Sequence, residues 1–169
     1  MKNKNPIEIS SKQLDRVLAF FPRIETKASF LFAVNTSILG VTALNLQPGD
    51  IEIWYMITLA AGTVTLSLAS LVFLYRCSYP HLDGGERSLV YFREIAKMRE
   101  ADFIDSFMQI DEEALTRDYL GQVWRNSEIL AAKFDALKTA FILTAIALVP
   151  WTTYLVAAGT IHAQLPSLH

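Results

Sequence analysis

A chain of 169 residues that is 52% hydrophobic and 19% charged has too few polar residues to clothe its apolar stretches as a soluble domain. Its 15 basic and 17 acidic residues, net charge −2, form no basic block, which argues against nucleic acid as a partner. A single cysteine, Cys77, excludes an intramolecular disulfide and any multi-cysteine metal site, and reads as a small filler residue.

The N-terminal "MKNKNPIEIS" lacks the apolar core and small-residue cleavage site of a signal peptide, so the first membrane helix is expected to act as an uncleaved anchor. In "SKQLDRVLAFF" (11–21), Leu14, Val17, Leu18 and Phe21 fall at helical spacing behind a Ser10/Ser11 cap. That predicts a short amphipathic helix within a cytoplasmic segment 1–27, ended or kinked by Pro22.

Three runs without charge follow, 28–49, 53–75 and 139–161. Each is about 22 residues, which as helix reaches about 33 Å and matches a hydrocarbon core of about 30 Å. The first is entered through "RIETKASFLFAVNTSILG". Arg23 and Lys27 suit lipid phosphates at the headgroup level, while Glu25 does not and calls for a basic neighbour. Asn35 lies about 12 Å beyond Lys27 along the helix. An amide at that depth faces another helix or a water-lined path.

"LQPGD" predicts a tight turn, and Trp54 and Tyr55 an interfacial belt, so 28–76 forms a membrane hairpin. "SYPHLDGGERS" is a helix breaker through Pro80, Gly84 and Gly85 and the expected hinge. From Arg87 to about Met108, Leu89, Phe92, Ala96, Phe103 and Phe107 define one apolar face of a single predicted helix. "IDEEAL" restarts a helix with Asp111 as N-cap and Glu112 and Glu113 at its positive end. Nothing interrupts that helix before about Pro150 except Gly121, at a cost of about 1 kcal/mol.

All Lys and Arg lie within 2–27 or 76–138. The positive-inside rule then puts the N-terminus and the region 77–138 in the cytoplasm, the third span at 139–161, and the tail 162–169 in the periplasm. The expected fold class is all-α: an integral membrane protein with three transmembrane helices and a small cytoplasmic helical bundle built from their extensions.

On the long helix, Leu115, Tyr119, Val123, Leu130 and Leu137 make an apolar stripe, with Gln122, Asn126 and Lys133 in or beside it. Such polar groups serve either inter-helix hydrogen bonding or a ligand pocket, where an amide and an ammonium suit a base edge and a phosphate. His81, Asp83 and Glu86 lack a metal-ligand spacing and read as a polar loop. No phosphate-loop, nucleophile-elbow or zinc-protease motif occurs, so no catalytic residue, metal or cofactor is assigned and the protein is read as a non-enzyme.

Three stretches in order, "FPRIETKASFLFAVNTSILG", "SLVYFREIA" and "YLGQVWRNSEILAAKFDALKTAF", resemble the membrane-spanning effectors of Pycsar, the pyrimidine-cyclase antiphage system of bacteria. The likeness covers roughly 15–160. It implies an adjacent cyclase that makes cyclic UMP or cyclic CMP on infection, and an effector that responds by impairing the inner membrane, so that abortive infection limits the phage. The chain has no Gly-rich phosphate cassette of a separate cyclic-nucleotide-binding domain, and "DGGER" is too short to be one. The sensor would therefore be the bundle itself.

The matched positions are Arg23, Lys27, Asn35, Ser88, Tyr91, Phe92, Asn126 and Lys133. By side-chain chemistry, Lys133 with Arg87 or Arg93 is expected at the phosphate, Tyr91 or Trp124 stacked on the base, and Asn126 nearby. Arg23, Glu25, Lys27 and Asn35 are expected to couple to the bilayer or line a path through it. Three spans enclose a pore poorly, so a homo-oligomer is expected. The alternatives are a related membrane effector answering another nucleotide signal, or a non-toxic scaffold subunit.

Overall fold

The computed structural model describes residues 5–79 and 87–164, and among these there is no strand. Six α-helices follow in order: α1 Pro6–Leu18, α2 Phe21–Asn45, α3 Trp54–Ser78, α4 Phe92–Ile95, α5 Glu100–Gln109 and α6 Glu112–Gln164, with a short 3₁₀ turn at Pro48–Glu52 between α2 and α3. Pro6–Asn45, Trp54–Ser78 and Glu112–Ala163 are long and apolar enough to cross a membrane. The expected hinge at Pro80, Gly84 and Gly85, with His81, Asp83 and Glu86, lies outside the described residues.

Helix boundaries depart from the periodicity in three places. Helix α1 starts at Pro6, not behind Ser10: the Asn5 carboxamide accepts from Ile7 N at 3.0 Å, and proline fits the first helical position. Ser10 and Ser11 sit inside the helix and donate to the carbonyls of Ile7 and Glu8. Helix α1 also ends at Leu18 and not at Phe21: Pro22 has no N–H to offer the Leu18 carbonyl, and it sits in the first turn of α2, where that lack is harmless.

The third departure is the segment 87–108, which is not one helix. It gives the four-residue α4 and a separate α5 entered through extended Arg99. Side chains capture the backbone N–H groups of Leu89, Val90 and Tyr91 before a helix does, as detailed below. Asp111 does cap α6, its Oδ1 accepting from Ala114 N at 2.7 Å. Helix α6 then runs through Pro150 to Gln164. In an apolar stretch no water competes for the remaining helical bonds, so the loss of one does not end it.

The chain divides into two compact units: 1–24 with 79–133, and 25–78 with 134–169. We call them unit 1 and unit 2. In unit 2 the buried positions are Ala28, Leu31, Asn35, Ile38 and Thr42 on α2; Met56, Ala60, Thr63, Ser67, Ser70, Leu74 and Cys77 on α3; and Leu137, Ala140, Thr144, Ala147, Tyr154 and Ala158 on α6. Along α2 and α3 the steps alternate between four and three residues, the seven-residue repeat of helices that wrap gently round one another. Small side chains predominate there and let the helix backbones approach, as membrane bundles require. Large apolar side chains, among them Phe30, Phe32, Leu68, Val72, Phe141 and Val156, are exposed on the opposite faces.

Candidate functional site

Unit 1 contains one polar network built on Ser88. Its hydroxyl donates to Asp118 Oδ1 at 2.7 Å and accepts from Val90 N (3.1 Å), Tyr91 N (2.9 Å) and Gln122 Nε2 (3.2 Å). The second Asp118 oxygen accepts from Leu89 N at 2.8 Å. Asp118 and Gln122 stand four residues apart, so one face of α6 grips the segment 87–91. Charge-assisted bonds of this kind are the stronger class, and Ser88 is only 4% exposed.

The residue before this hub, Arg87, has a φ of 59°. That left-handed backbone is uncommon for a residue with a side chain and is held here by its surroundings. Arg87 N donates to Glu94 Oε2 at 3.4 Å. The Lys97 ammonium bonded to Glu94, with the Arg87 N–H adding to it, holds the Glu94 carboxyl below the usual carboxylate range.

Beside the network opens a cleft of about 710 Å³, rimmed by Arg87, Arg117 and Arg125 together with Asp111, Glu113 and Asp118. The volume falls within the about 300–1,000 Å³ typical of small-molecule sites. Arg117, Gly121 and Arg125 follow at four-residue steps on α6, so two guanidinium groups flank a glycine on one face. A methyl group at Gly121 would meet nothing within 4 Å. The acids are engaged: Asp111 caps α6, Asp118 holds Ser88 and Leu89, and Glu113 pairs with Arg117 Nη2 at 3.2 Å.

Of the ligand residues expected from sequence, Arg87 lines this cleft, and Ser88 forms its floor network. Tyr91 stacks edge-on with Phe92 at 5.0 Å between centroids. Arg93 is exposed on α4, and Trp124 is 64% exposed on α6. Asn126 donates to the Gln122 carbonyl of its own helix at 2.8 Å, and Lys133 is buried at 5% exposure. Tyr91, Arg93, Trp124, Asn126 and Lys133 do not line the cleft. Arg117, Arg125 and Asp118 do, and their spacing with Gly121 and Gln122 was the available signal.

The residues expected at the membrane are spread over both units. Arg23 lies over the Phe20 ring at 5.4 Å, and Glu25 and Lys27 are exposed. Asn35 is 0% exposed and ties three helices together. Its Nδ2 donates to the Leu31 carbonyl (2.9 Å), to Thr144 Oγ1 (2.8 Å) and to Ser70 Oγ (3.3 Å). Ser70 in turn donates to the Ala140 carbonyl at 3.0 Å. A pair without any sequence signal closes the other end of unit 2: His162 Nε2 lies 3.1 Å from Asp50 Oδ1, and Asp50 Oδ2 accepts from Gln47 N at 2.9 Å.

Among the described residues no group of three His, Cys, Asp or Glu is arranged to hold a metal ion. Three helices long and apolar enough to cross a membrane mark the chain as a membrane protein. The model of the PycTM family, the Pycsar effector protein domain, matches residues 9–159, and the chain belongs to that family. It is thus a transmembrane effector of Pycsar antiphage defence, the counterpart of the system's cyclase. No curated protein and no solved structure matches the chain.

Proposed function

We propose that unit 1 is a cytoplasmic sensor which binds a cyclic pyrimidine mononucleotide, cyclic UMP or cyclic CMP, in the Arg87–Arg117–Arg125 cleft. The observation that carries this reading is a cleft of nucleotide size rimmed by three arginines, where Asp111 and Asp118 are bonded to backbone N–H groups and Glu113 is paired with Arg117. A cyclic phosphodiester brings one negative charge, and the planar fork of arginine suits its two free oxygens. Ser88 and Gln122 supply the hydroxyl and amide chemistry for ribose and base edge.

Bound ligand changes the protein only through its different affinity for two packings. The Ser88–Asp118 latch is the element it would bias, because Asp118 stands on α6, the helix that also provides Thr144 to the Asn35 knot. Unit 2 then responds in the inner membrane, with the N-terminus cytoplasmic and the C-terminus periplasmic, as the placement of Lys and Arg supports. Several copies assemble, the bilayer is impaired, and the infected cell dies.

Titration calorimetry on the full-length protein with cyclic UMP and cyclic CMP tests the sensing step. Heat is expected with one of them, and Arg125→Ala is expected to weaken binding about tenfold to hundredfold, the worth of one charge-assisted contact. No heat with either nucleotide overturns the reading. Co-expression with a pyrimidine cyclase should depolarise cells, and polarised cells would favour a scaffold.

A further inference from the structure

The cleft of unit 1 is balanced in charge. Among the described residues that line it, Arg87, Arg117 and Arg125 face Asp111, Glu113 and Asp118, so the formal charges cancel. From the cap of α6 onward the order is acid, acid, base, acid, base: Asp111, Glu113, Arg117, Asp118, Arg125. A ligand that reaches beyond one guanidinium therefore comes upon a carboxylate.

Two of these carboxylates are held by neutral donors rather than by cations. Asp111 accepts from Ala114 N, and Asp118 accepts from Ser88 Oγ and Leu89 N. Such bonds fix the groups in place and leave their charge to act across the cleft. Only Glu113 is paired with one of the lining arginines, Arg117. Sites that hold triphosphates commonly use a bare helix N-terminus, lysine and Mg²⁺. Here the positive end of α6 already meets Asp111, Glu112 and Glu113.

Such a lining distinguishes phosphates by their charge. A cyclic mononucleotide holds its phosphate as a diester with one negative charge, which one arginine fork meets. A linear 5′-monophosphate carries about 1.5 to 2 negative charges at pH 7, and a triphosphate more. Once the first charge is seated in a neutral cleft, site and ligand together are negative, and each further charge is repelled.

We infer that Asp111, Glu113 and Asp118 make the cleft a filter for phosphate charge, which admits a cyclic monoanionic nucleotide and rejects the linear mono- and triphosphates of the same base. This rests on the reading of the cleft as a cyclic-nucleotide site, and it adds how a sensor stays silent among linear nucleotides. Selectivity of this kind comes from repelling the wrong ligand as much as from holding the right one.

Titration calorimetry on the full-length protein, at low salt and without Mg²⁺, compares cyclic UMP and cyclic CMP with the 5′-monophosphates and triphosphates of the same bases. The unaltered chain should bind a cyclic nucleotide several-fold more tightly than either linear form. Asp111→Asn/Glu113→Gln removes two carboxylates and keeps the cap, since asparagine caps as well as aspartate. Its affinities should rise in step with ligand charge, about twofold for the cyclic nucleotide, about fourfold for the 5′-monophosphate and more for the triphosphate. Glu113→Gln alone should shift them in the same order by less, and added salt should shrink every difference. A cyclic nucleotide bound no more tightly than its 5′-monophosphate, or a double variant whose gain does not grow with ligand charge, would overturn the filter and leave the sensor reading standing. No heat from cyclic UMP or cyclic CMP would overturn the sensor reading itself, and the filter with it.

Discussion

The two units each have a polar knot at their centre, and the knots are made of different chemistry. In unit 1 a carboxylate, Asp118, holds a hydroxyl and a backbone N–H beside an open cleft. In unit 2 a neutral amide, Asn35, holds two hydroxyls among three apolar helices. A charge is tolerable where a cleft admits water and counter-charges, and is expensive at the depth of the spans, where amides and hydroxyls join helices instead. The contrast separates a charged contact beside an open cleft from a neutral one closed off among apolar helices.

The largest expected effect tests the charged knot. Asp118→Ala leaves Ser88 Oγ and Leu89 N without their acceptor, at about 1–3 kcal/mol for each buried donor. Denaturant unfolding of unit 1 should show this loss, and nucleotide binding should disappear with it. Asn35→Leu should cost less, about 0.6–1.7 kcal/mol, the range of side-chain hydrogen bonds between membrane helices. It should insert normally but give weaker leakage from dye-loaded cells when the cyclase is co-expressed. An Asn35→Leu loss as large as that of Asp118→Ala would break the contrast.

Smaller effects sharpen it. Gly121→Ala should stabilise α6 by up to about 1 kcal/mol, because helix propensity improves and its methyl meets open space. Weaker nucleotide binding in a more stable protein would show that the cleft needs the bare backbone there. The smallest effect is on pH. Because the Glu94 carboxyl is held below its ordinary value, its bond to Arg87 N contributes at neutral pH and is lost only as pH falls through that lowered value. Amide exchange at Arg87 should accelerate there.

The spans were legible because a bilayer asks little of sequence beyond length and absence of charge, and 28–49, 53–75 and 139–161 meet both. The Asp111 cap was legible because it is local, three residues from the N–H it accepts. The break between α4 and α5 was not. Leu89, Phe92, Ala96, Phe103 and Phe107 do fit a helix, and while Asp118, 29 residues from Leu89, holds the Leu89 N–H and delays the start of α4 to Phe92, residues 96–99 contain no Gly or Pro to announce the break. For the same reason the cleft escaped the sequence. Trp124 and Lys133 stand near an apolar stripe and attract attention, whereas Arg117 and Arg125 look like ordinary solvated charges until the segment 87–91 selects their face of α6. Asp50 and His162, 112 residues apart, carry no local signal at all.

The alternation of four- and three-residue steps along α2 and α3 also restricts how this protein is able to evolve. One residue inserted between Leu31 and Asn35 turns everything beyond it by about 100° and hands the amide to lipid. Seven residues restore the phase. Within the spans, lineages of such effectors should therefore diverge by exchange of side chains and by whole repeats, and length variation should collect at the Pro48–Glu52 turn and between the units.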